Sequence, residues 1–477
     1  MEELSIAKID TTPVSETASL LERGSIEVLR CIPGMGQLAP SGRVLKAVRG
    51  STWTMVGYSA SQMLRLASTL ILARMLVPQA FGLVALVNVF LSGLEMLSDL
   101  GIGMDVVQHP RGDDPIFINT AFLIQAVRGI VLFTIAAALA FPFARFYGQP
   151  AVLMLLMVGS FSVLLRGFTS GSIWGLTRHV QLGRYNLLVI GSDFVGFVVS
   201  LVWAILSPTA WALVVGRVAG TLALVGMSHV IATFPVSKTW DPRAAKDIFA
   251  FGSGIFFSTA TYFLSGEAER LVVGKFVTLV ELGCFSIALS VSSAVAKGLQ
   301  QIVTQVFFPL MSDSLREDRE RGIGHFNKLR NALWALSACL AVGFIFGSHW
   351  FVRIVLGPKY LMAGWMLQLL GVRGALELFV AVPASMLFAL GTSRYAAAGN
   401  ILKLIFLAIG LAVAFGYFGF REALWILTLA PLANYIPILF GMNRHCKAAM
   451  RTEIASFGWL AATIVCAALI IVLGKGF

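Results

Sequence analysis

The sequence predicts an all-α polytopic membrane protein, with about thirteen transmembrane helices (twelve to fourteen) in two six-helix lobes around a central cavity. Three observations support this fold class. Apolar residues make up 57% of the 477 residues and charged residues only 13%, against about 25% charged in soluble proteins. Apolar runs of bilayer length recur along the chain, as membrane-crossing helices require. The connection between two successive apolar runs also recurs with a similar sequence pattern 201 residues later.

The apolar runs are each about as long as a membrane-crossing helix, roughly 20 residues. The run at 361–390 is long enough to include an interfacial turn, so the count has a tolerance of one. The thirteen predicted spans are residues 52–76, 80–102, 119–143, 150–170, 185–206, 210–232, 249–273, 279–304, 331–352, 361–390, 396–417, 421–443 and 455–474.

The predicted domain organisation has four parts. Residues 1–45 are polar, lack a signal-peptide core and form a cytosolic tail that we expect to be disordered; alternatively, Met35 is the true start. Residues 46–240 form a first lobe, 241–445 a second lobe, and 446–477 an additional helix. The five cysteines are scattered without a CxxC pair, so we expect no disulfide, no metal site and no cofactor.

The distribution of lysine and arginine predicts the orientation. With the N-terminus in the cytoplasm, nineteen basic residues lie at inner loops or inner span ends and seven at outer ends. The predicted location is the bacterial inner membrane, and below "inner" and "outer" refer to this orientation. The net charge of +12 is split between loops and spans, so we expect no nucleic-acid partner.

An internal repeat relates the hairpin between spans 1 and 2 to that between spans 7 and 8. Arg74 precedes Gly82 by the same interval as Lys275 precedes Gly283, at an offset of 201 residues. A looser echo relates residues 146–148 to residues 355–357. Six spans per repeat would place both lobes in the same orientation, related by an axis along the membrane normal, as in some transporters.

Six arginines lie inside apolar spans. A charge at the centre of a membrane helix costs roughly 2.5–3.5 kcal/mol, so these side chains must face water, an acid or an anionic ligand. We therefore predict that they form a cationic, substrate-binding cavity. The six are Arg65, Arg128, Arg166, Arg217, Arg270 and Arg373.

Local pairing offers a simpler explanation for some of them. Arg373 could be neutralised by Glu377 four residues later, and Arg270 by Glu267 three residues earlier. Arg166 could extend to the headgroups. Arg65, Arg128 and Arg217 have no acid at such spacing and need a partner on another helix, water or a ligand.

Other polar residues follow helical spacing on spans 1 and 7, which predicts that these spans line the cavity. The predicted lining residues are Tyr58, Gln62, Thr69, Tyr262 and Ser265. Carboxylates inside spans are candidates for ion coupling. The candidates are Asp193, Glu269 and Glu377.

The sequence contains no phosphate-binding G-x-x-x-x-G-K-[ST] loop and no HExxH or GxSxG motif. The predicted outer loops are short. These absences favour transport over catalysis, and we expect that the protein is not an enzyme.

Parts of the chain from about residue 45 to residue 445 resemble bacterial polysaccharide flippases, the Wzx-like members of the multidrug/oligosaccharidyl-lipid/polysaccharide superfamily. Two departures concern Glu269, where a small polar or acidic residue is frequent, and Cys284, where an aromatic or small residue is usual; the last span also has no partner. The segments that carry the resemblance are Trp53–Arg65, Leu72–Leu86, Asp99–Gly103, Arg270–Phe276, Leu282–Ala288 and Phe308–Ser312.

The resemblance implies a flippase that moves a polyprenyl-diphosphate-linked oligosaccharide across the inner membrane for exopolysaccharide, capsule or O-antigen (lipopolysaccharide) synthesis. Membrane lipid, a polysaccharide polymerase and a chain-length regulator would be its partners. Guanidinium groups suit this substrate because they bind phosphate in bidentate fashion. Two alternatives stay open: a cation-coupled multidrug exporter of the same superfamily, and a membrane-embedded polymerase or ligase.

Overall fold

The computed structural model describes residues 42–231, 239–317 and 319–473, and these residues contain α-helices and no strands. The tail predicted for residues 1–45 lies almost wholly outside this part of the chain. The α-helices, numbered in chain order, are α1 (Gly42–Met75), α2 (Pro78–Leu97), α3 (Ile102–Gln108), α4 (Pro115–Tyr147), α5 (Pro150–Gly167), α6 (Ser172–Arg178), α7 (Leu182–Leu206), α8 (Trp211–Val230), α9 (Pro242–Gly266), α10 (Ala268–Phe276), α11 (Leu279–Ile302), α12 (Phe308–Glu317), α13 (Arg319–Phe351), α14 (Ala363–Ala389), α15 (Arg394–Val413), α16 (Phe420–His445) and α17 (Lys447–Leu473).

The predicted class, an all-α polytopic membrane protein, is confirmed. Within the described residues, eleven helical stretches are long and apolar enough to cross a bilayer. The predicted first and last spans lie on α1 and α17, which are not among those eleven, so a count of thirteen is not established. The long run at 361–390 is one helix, α14, preceded by a short 3₁₀ turn at Pro358–Tyr360.

Helix starts follow local sequence. Several helices begin with proline, whose fixed φ suits the first helical turn. Asp114 and Asp241 cap α4 and α9 by accepting hydrogen bonds from backbone N–H groups, and Thr278 with Glu281 forms a full capping box at α11. These caps satisfy donors that a helix start leaves free.

The helices form two groups that meet along α2 and α11. In the first group α1 packs on α7, α4 on α5, and α7 on α8; in the second α11 packs on α14, α13 on α14, and α15 on α16. The additional helix α17 packs against α13 and α16 of the second group. A buried ion pair fixes it there: Glu453 accepts hydrogen bonds from Arg330 at 2.7 and 2.6 Å.

The two groups contact each other reciprocally at their outer ends. A methyl group on Gly82 would overlap the carbonyl oxygen of Leu279, and one on Gly283 would overlap that of Pro78. Pro78 and Leu279 are 201 residues apart, as Gly82 and Gly283 are. The contact of Gly82 with Leu279 and the contact of Gly283 with Pro78 are therefore equivalent under the repeat. The contact is reciprocal, as a two-fold axis between the two groups requires, and it needs glycine because the backbones touch.

The basic residues of the repeat close the same end, again reciprocally. Arg74 donates to the carbonyl oxygens of Val355, at 2.6 Å, and Ile354, near the end of a second-group helix. Lys275 donates to the carbonyl oxygen of Phe146, near the end of α4, and its ammonium lies 4.1 Å from that ring centroid. We call these two contacts the outer latches.

At the inner face a charged clip joins the loop before α4 to the start of α9. Arg111 donates to Asp114 at 2.8 Å and to Asp241 at 2.9 Å. A hydrogen bond from Arg111 lowers the pKa of Asp114. The pKa of Asp241 is lowered mainly by a hydrogen bond from the backbone N–H of Arg243 and, to a smaller extent, by one from Arg111. The clip therefore stays charged down to pH values below the ordinary range of a carboxyl group.

Candidate functional site

A polar cavity of about 1100 Å³ lies mainly inside the first group of helices. Its walls come from α1, α2, α4, α5, α7 and α8, and residues of α10 and α11 complete it on the side of the second group. It reaches from Phe81 near the outer closure to Asp99 and Tyr185 near the inner helix ends. Five of the six predicted arginines line it: Arg65, Arg128, Arg166, Arg217 and Arg270.

Glycines beside these arginines let their helices approach closely. Helices α4 and α5 cross where Gly129, next to Arg128, meets Gly167, next to Arg166: a methyl group on Gly129 would lie 2.8 Å from the Cα of Gly167. Such small-residue crossings replace side-chain packing with backbone contact. The crossing brings Arg128 and Arg166 to one side of the cavity.

A similar crossing positions Arg217. Gly196 of α7 packs against the Gly216 and Gly220 pair of α8, and a methyl group on Gly196 would lie 2.9 Å from the Gly216 carbonyl oxygen. Gly216 and Gly220 form a GxxxG pattern, and their contact with Gly196 fixes α8 against α7. From α8, Arg217 reaches Asn88 of α2 and Ser162 of α5.

Arg128 and Arg217 are held by neutral groups. Arg128 donates to Ser98 Oγ at 3.1 and 3.0 Å and to the Glu95 carbonyl oxygen at 2.5 Å. Arg217 donates to Asn88 Oδ1 at 2.6 Å and to Ser162 Oγ at 3.2 Å. These bonds fix the guanidinium groups in place without bringing a carboxylate into contact with them; Glu95 and Asp99 attract Arg128, and Glu95 attracts Arg217, only at longer range.

The other three arginines of the cavity have acidic neighbours. Arg65 Nε lies 2.9 Å from Asp193 Oδ2, which also accepts from Ser61 at 2.8 Å. Arg270 pairs with Glu267 at 3.0 Å, as its spacing predicted. Arg166 reaches Glu95 only at 3.8 Å, and its side chain lines the cavity instead of extending only to the headgroups.

Arg373 lies in a different place. It is buried in the second group and donates to Glu269 at 2.8 Å through one nitrogen and to Glu377 at 3.1 Å. Lys403, one of the nineteen basic residues assigned to the inner side in the sequence analysis, approaches Glu377 at 3.8 Å and has only 13% of its side chain exposed. Two acids and two bases thus form a buried cluster away from the cavity, and Lys297 attracts Glu377 at longer range.

The predicted ion-coupling residues are therefore all in ion pairs. Asp193 pairs with Arg65 at the cavity wall, and Glu269 and Glu377 both pair with Arg373. Their role in coupling stays a prediction.

Of the five other predicted lining residues, Thr69 lines the cavity. Gln62 does not line it and lies two residues nearer the inner end of α1 than the first cavity residue of that helix, Leu64. Tyr262 does not line it and is 58% exposed. The side chains of Tyr58 and Ser265 lie outside the described set.

Sequence reasoning missed the polar face of α2. Asn88, Ser92, Glu95 and Asp99 all line the cavity. Spacings of four and three residues place the first three on one face of α2, and Asp99 lies two residues beyond the end of the helix at Leu97. The periodicity that revealed span 1 would have revealed this face. The charged lining residues then sum to five arginines against Glu95, Asp99 and Asp193, a formal charge of +2.

Comparisons with known proteins agree with a membrane transporter fold. Residues 71–364 match the polysaccharide biosynthesis protein family. The teichuronic acid biosynthesis protein TuaB of Bacillus subtilis (strain 168) is 21% identical over 349 residues, 72% of this chain and 71% of TuaB. The succinoglycan biosynthesis transport protein ExoT of Rhizobium meliloti (strain 1021) is 22% identical over 330 residues, 66% of this chain and 65% of ExoT.

Among solved structures, the lipid II flippase MurJ in an inward closed conformation superposes with a TM-score of 0.60. The superposition covers 88% of this chain and 97% of MurJ at 14% identity. At this identity the likeness establishes a shared fold.

Proposed function

The chain belongs to the polysaccharide biosynthesis protein family, and on that premise we propose that it is a flippase for a polyprenyl-diphosphate-linked oligosaccharide in the bacterial inner membrane. The names of its relatives support this: TuaB and ExoT are named for polysaccharide biosynthesis, ExoT also for transport, and MurJ is a lipid II flippase. The N-terminus faces the cytoplasm, residues 46–240 and 241–445 are the moving lobes, and residues 446–477 are an addition to the second lobe.

One observation carries the proposal: the cavity holds two arginines, Arg128 and Arg217, whose hydrogen-bond partners within the described chain are neutral. Unpaired buried charge is costly, so such a site is complete only with an anion in it. A diphosphate diester carries two negative charges and accepts the paired N–H donors of guanidinium. The oligosaccharide fits a cavity of about 1100 Å³, while the polyprenyl chain stays in the bilayer.

Transport follows by alternating access. The outer latches and the Gly82 and Gly283 contacts hold the outer end closed. At the inner end the clip of Arg111 with Asp241 joins the two groups, so substrate would enter from the inner side when this clip releases. Opening of the outer end would release the head group there. A polymerase and a chain-length regulator would act on the delivered unit.

The cation-exporter alternative fits less well, because a cationic drug favours an acidic cavity and this lining is net positive. Catalysis by a polymerase or ligase has no candidate residues in the site described above. The protein acts in this proposal as a transporter and not as an enzyme.

The test uses a deletion strain complemented with Arg217→Ala or Arg128→Ala, made at wild-type level by immunoblot of membranes. Loss of a charge-assisted phosphate contact weakens binding by about ten-fold or more, so surface polysaccharide should fall and lipid-linked repeat unit should accumulate. Arg145→Ala is the matched control, since Arg145 lies on the same helix as Arg128 but is exposed at its outer end. Normal export by both cavity variants would show that these arginines do not bind the substrate.

A further inference from the structure

The arginines of the proposed anion site surround one carboxylate, that of Glu95. Its Oε2 lies 3.8 Å from Arg166, and its charge attracts Arg128 and Arg217. Asp99 also attracts Arg128, so Glu95 is the acid that all three guanidinium groups have in common.

Glu95 is also held more loosely than the other paired acids. Its contact with Arg166 is longer than a hydrogen bond, whereas Asp193 and Glu269 lie 2.9 and 2.8 Å from their arginines. Its Oε1 is buried and has no hydrogen-bond partner in the described chain. A buried carboxylate oxygen without a partner is costly, so this residue has little to hold it beside Arg166.

Arg166 is correspondingly available. Its side chain is 57% exposed, against 21% for Glu95, and within the described residues its guanidinium makes no hydrogen bond. An entering anion can therefore bind Arg166 directly. In doing so it meets the charge of Glu95, which repels it.

We propose that Glu95 is a specificity-determining counter-anion. It pairs with Arg166 while the cavity is empty and is displaced from Arg166 when a diphosphate binds. Its repulsion of the bound diphosphate keeps the affinity low enough for release. This inference rests on the proposed function and deepens it. Charge balance supports it. The side chains that line the cavity carry a formal charge of +2, or +1 when Glu267, the partner of Arg270, is included. A dianionic diphosphate diester offsets this positive charge when the cavity closes to water, where net charge is most costly. Without Glu95 the lining would be +3 and would hold the dianion too tightly.

Two probes of defined charge test the proposal on the full-length protein in nanodiscs. Farnesyl-diphosphate-N-acetylglucosamine carries two negative charges and farnesyl-phosphate-N-acetylglucosamine carries one. Coulomb repulsion over several ångströms at intermediate dielectric predicts that Glu95→Gln binds the dianion about ten-fold more tightly. The monoanion should gain only about three-fold, the square root of that factor, because the repulsion scales with ligand charge.

Two further variants separate charge from local structure. Glu95→Asp keeps the charge and should bind both probes within about two-fold of wild type. Glu95→Gln combined with Arg166→Gln restores the lining to +2, and its affinity for the dianion should return to within about three-fold of wild type. In cells, Glu95→Gln should export less polysaccharide despite its tighter binding, because release is slowed.

The outcomes are distinct. If wild type binds neither probe, both the proposed function and this inference fail. If wild type binds the dianion but Glu95→Gln binds it equally or more weakly, the role of Glu95 is wrong and the proposed function stands. If the double variant binds as tightly as Glu95→Gln, charge balance is not what sets the affinity, and the inference is again overturned.

Discussion

Removal of the two outer latches should open the outer end of the protein. The change is Arg74→Gln together with Lys275→Gln, which keeps the length and polarity of both side chains but removes their charges. Each residue donates to carbonyl groups at the end of a helix in the opposite group, where a helix presents unsatisfied oxygens and a partial negative charge.

The structure gives the size of the effect. A hydrogen bond from a charged donor is worth about 1.5–3 kcal/mol, and exposure of both side chains reduces this to about 1 kcal/mol each. Loss of both contacts therefore costs the closed state about 2 kcal/mol, which is a change of roughly 30-fold in the ratio of open to closed molecules.

The assay measures distances between spin labels at the outer end. The labels are placed at Thr209 of the first group and Lys359 of the second group, because both residues are exposed. Each is replaced by cysteine, to which the spin label is attached, in a variant lacking the five native cysteines. Double electron–electron resonance in nanodiscs should show one short distance in the parent and an added longer distance in the latch variant. Arg145→Gln removes another exposed outer charge and serves as the control.

The reasoning would be refuted by an unchanged distance distribution in the latch variant. It would be equally refuted if Arg145→Gln opened the outer end as much, since the effect would then come from surface charge in general. Each single latch variant should give about half of the free-energy change, because the two contacts are separate.

Three further predictions follow from other parts of the molecule. Gly283→Val should prevent outer closure and abolish export, measured with the same spin labels, because its side chain would overlap the Pro78 carbonyl; a closed distance in this variant would contradict the backbone contact. Arg373→Met should lower the unfolding free energy by about 3–5 kcal/mol, because it leaves buried Glu269 without its ionic partner. The folded variant should still bind the diphosphate probe with an affinity within about two-fold of wild type. A loss of affinity without a loss of stability would place Arg373 in the site. Asp105→Asn should raise the thermal midpoint of unfolding at pH 7.5 and raise it less at pH 5. Burial raises the pKa of Asp105, so its charge opposes folding above that pKa, and this penalty falls as the pH drops towards the ordinary carboxyl value. A stabilisation that grew with falling pH would contradict this reasoning.

The sequence predicted what depends on local spacing. The helices follow from apolar runs, and the ion pairs of Arg270 with Glu267 and of Arg373 with Glu377 follow from intervals of three and four residues. The offset between Gly82 and Gly283 predicted a repeat, and these glycines lie at its axis.

Partners distant in sequence could not be predicted. Asp193 is 128 residues from Arg65, and Glu269 is 104 residues from Arg373. Which acid meets which arginine depends on where helices cross, and the crossings depend on glycine contacts such as that of Gly129 with Gly167. Local spacing carries no information about such contacts, so it could not predict that Arg270 lines the cavity and Arg373 does not, although both have an acid at helical spacing.

The two groups of helices share a repeat but use their charges differently. In the second group Glu269 and Glu377 pair with Arg373 and Lys403 in a buried cluster, so each of these charges has an opposite charge beside it. In the first group the arginines exceed the acids of the same wall and open onto a cavity. Among the described residues, the first group supplies four of the five cavity arginines, and Arg270 of α10 supplies the fifth. If substrate energy drives the change of state, it therefore enters mainly through the first group. The second group would then respond through the outer latches and the glycine contact, which are the parts of the repeat that both groups share.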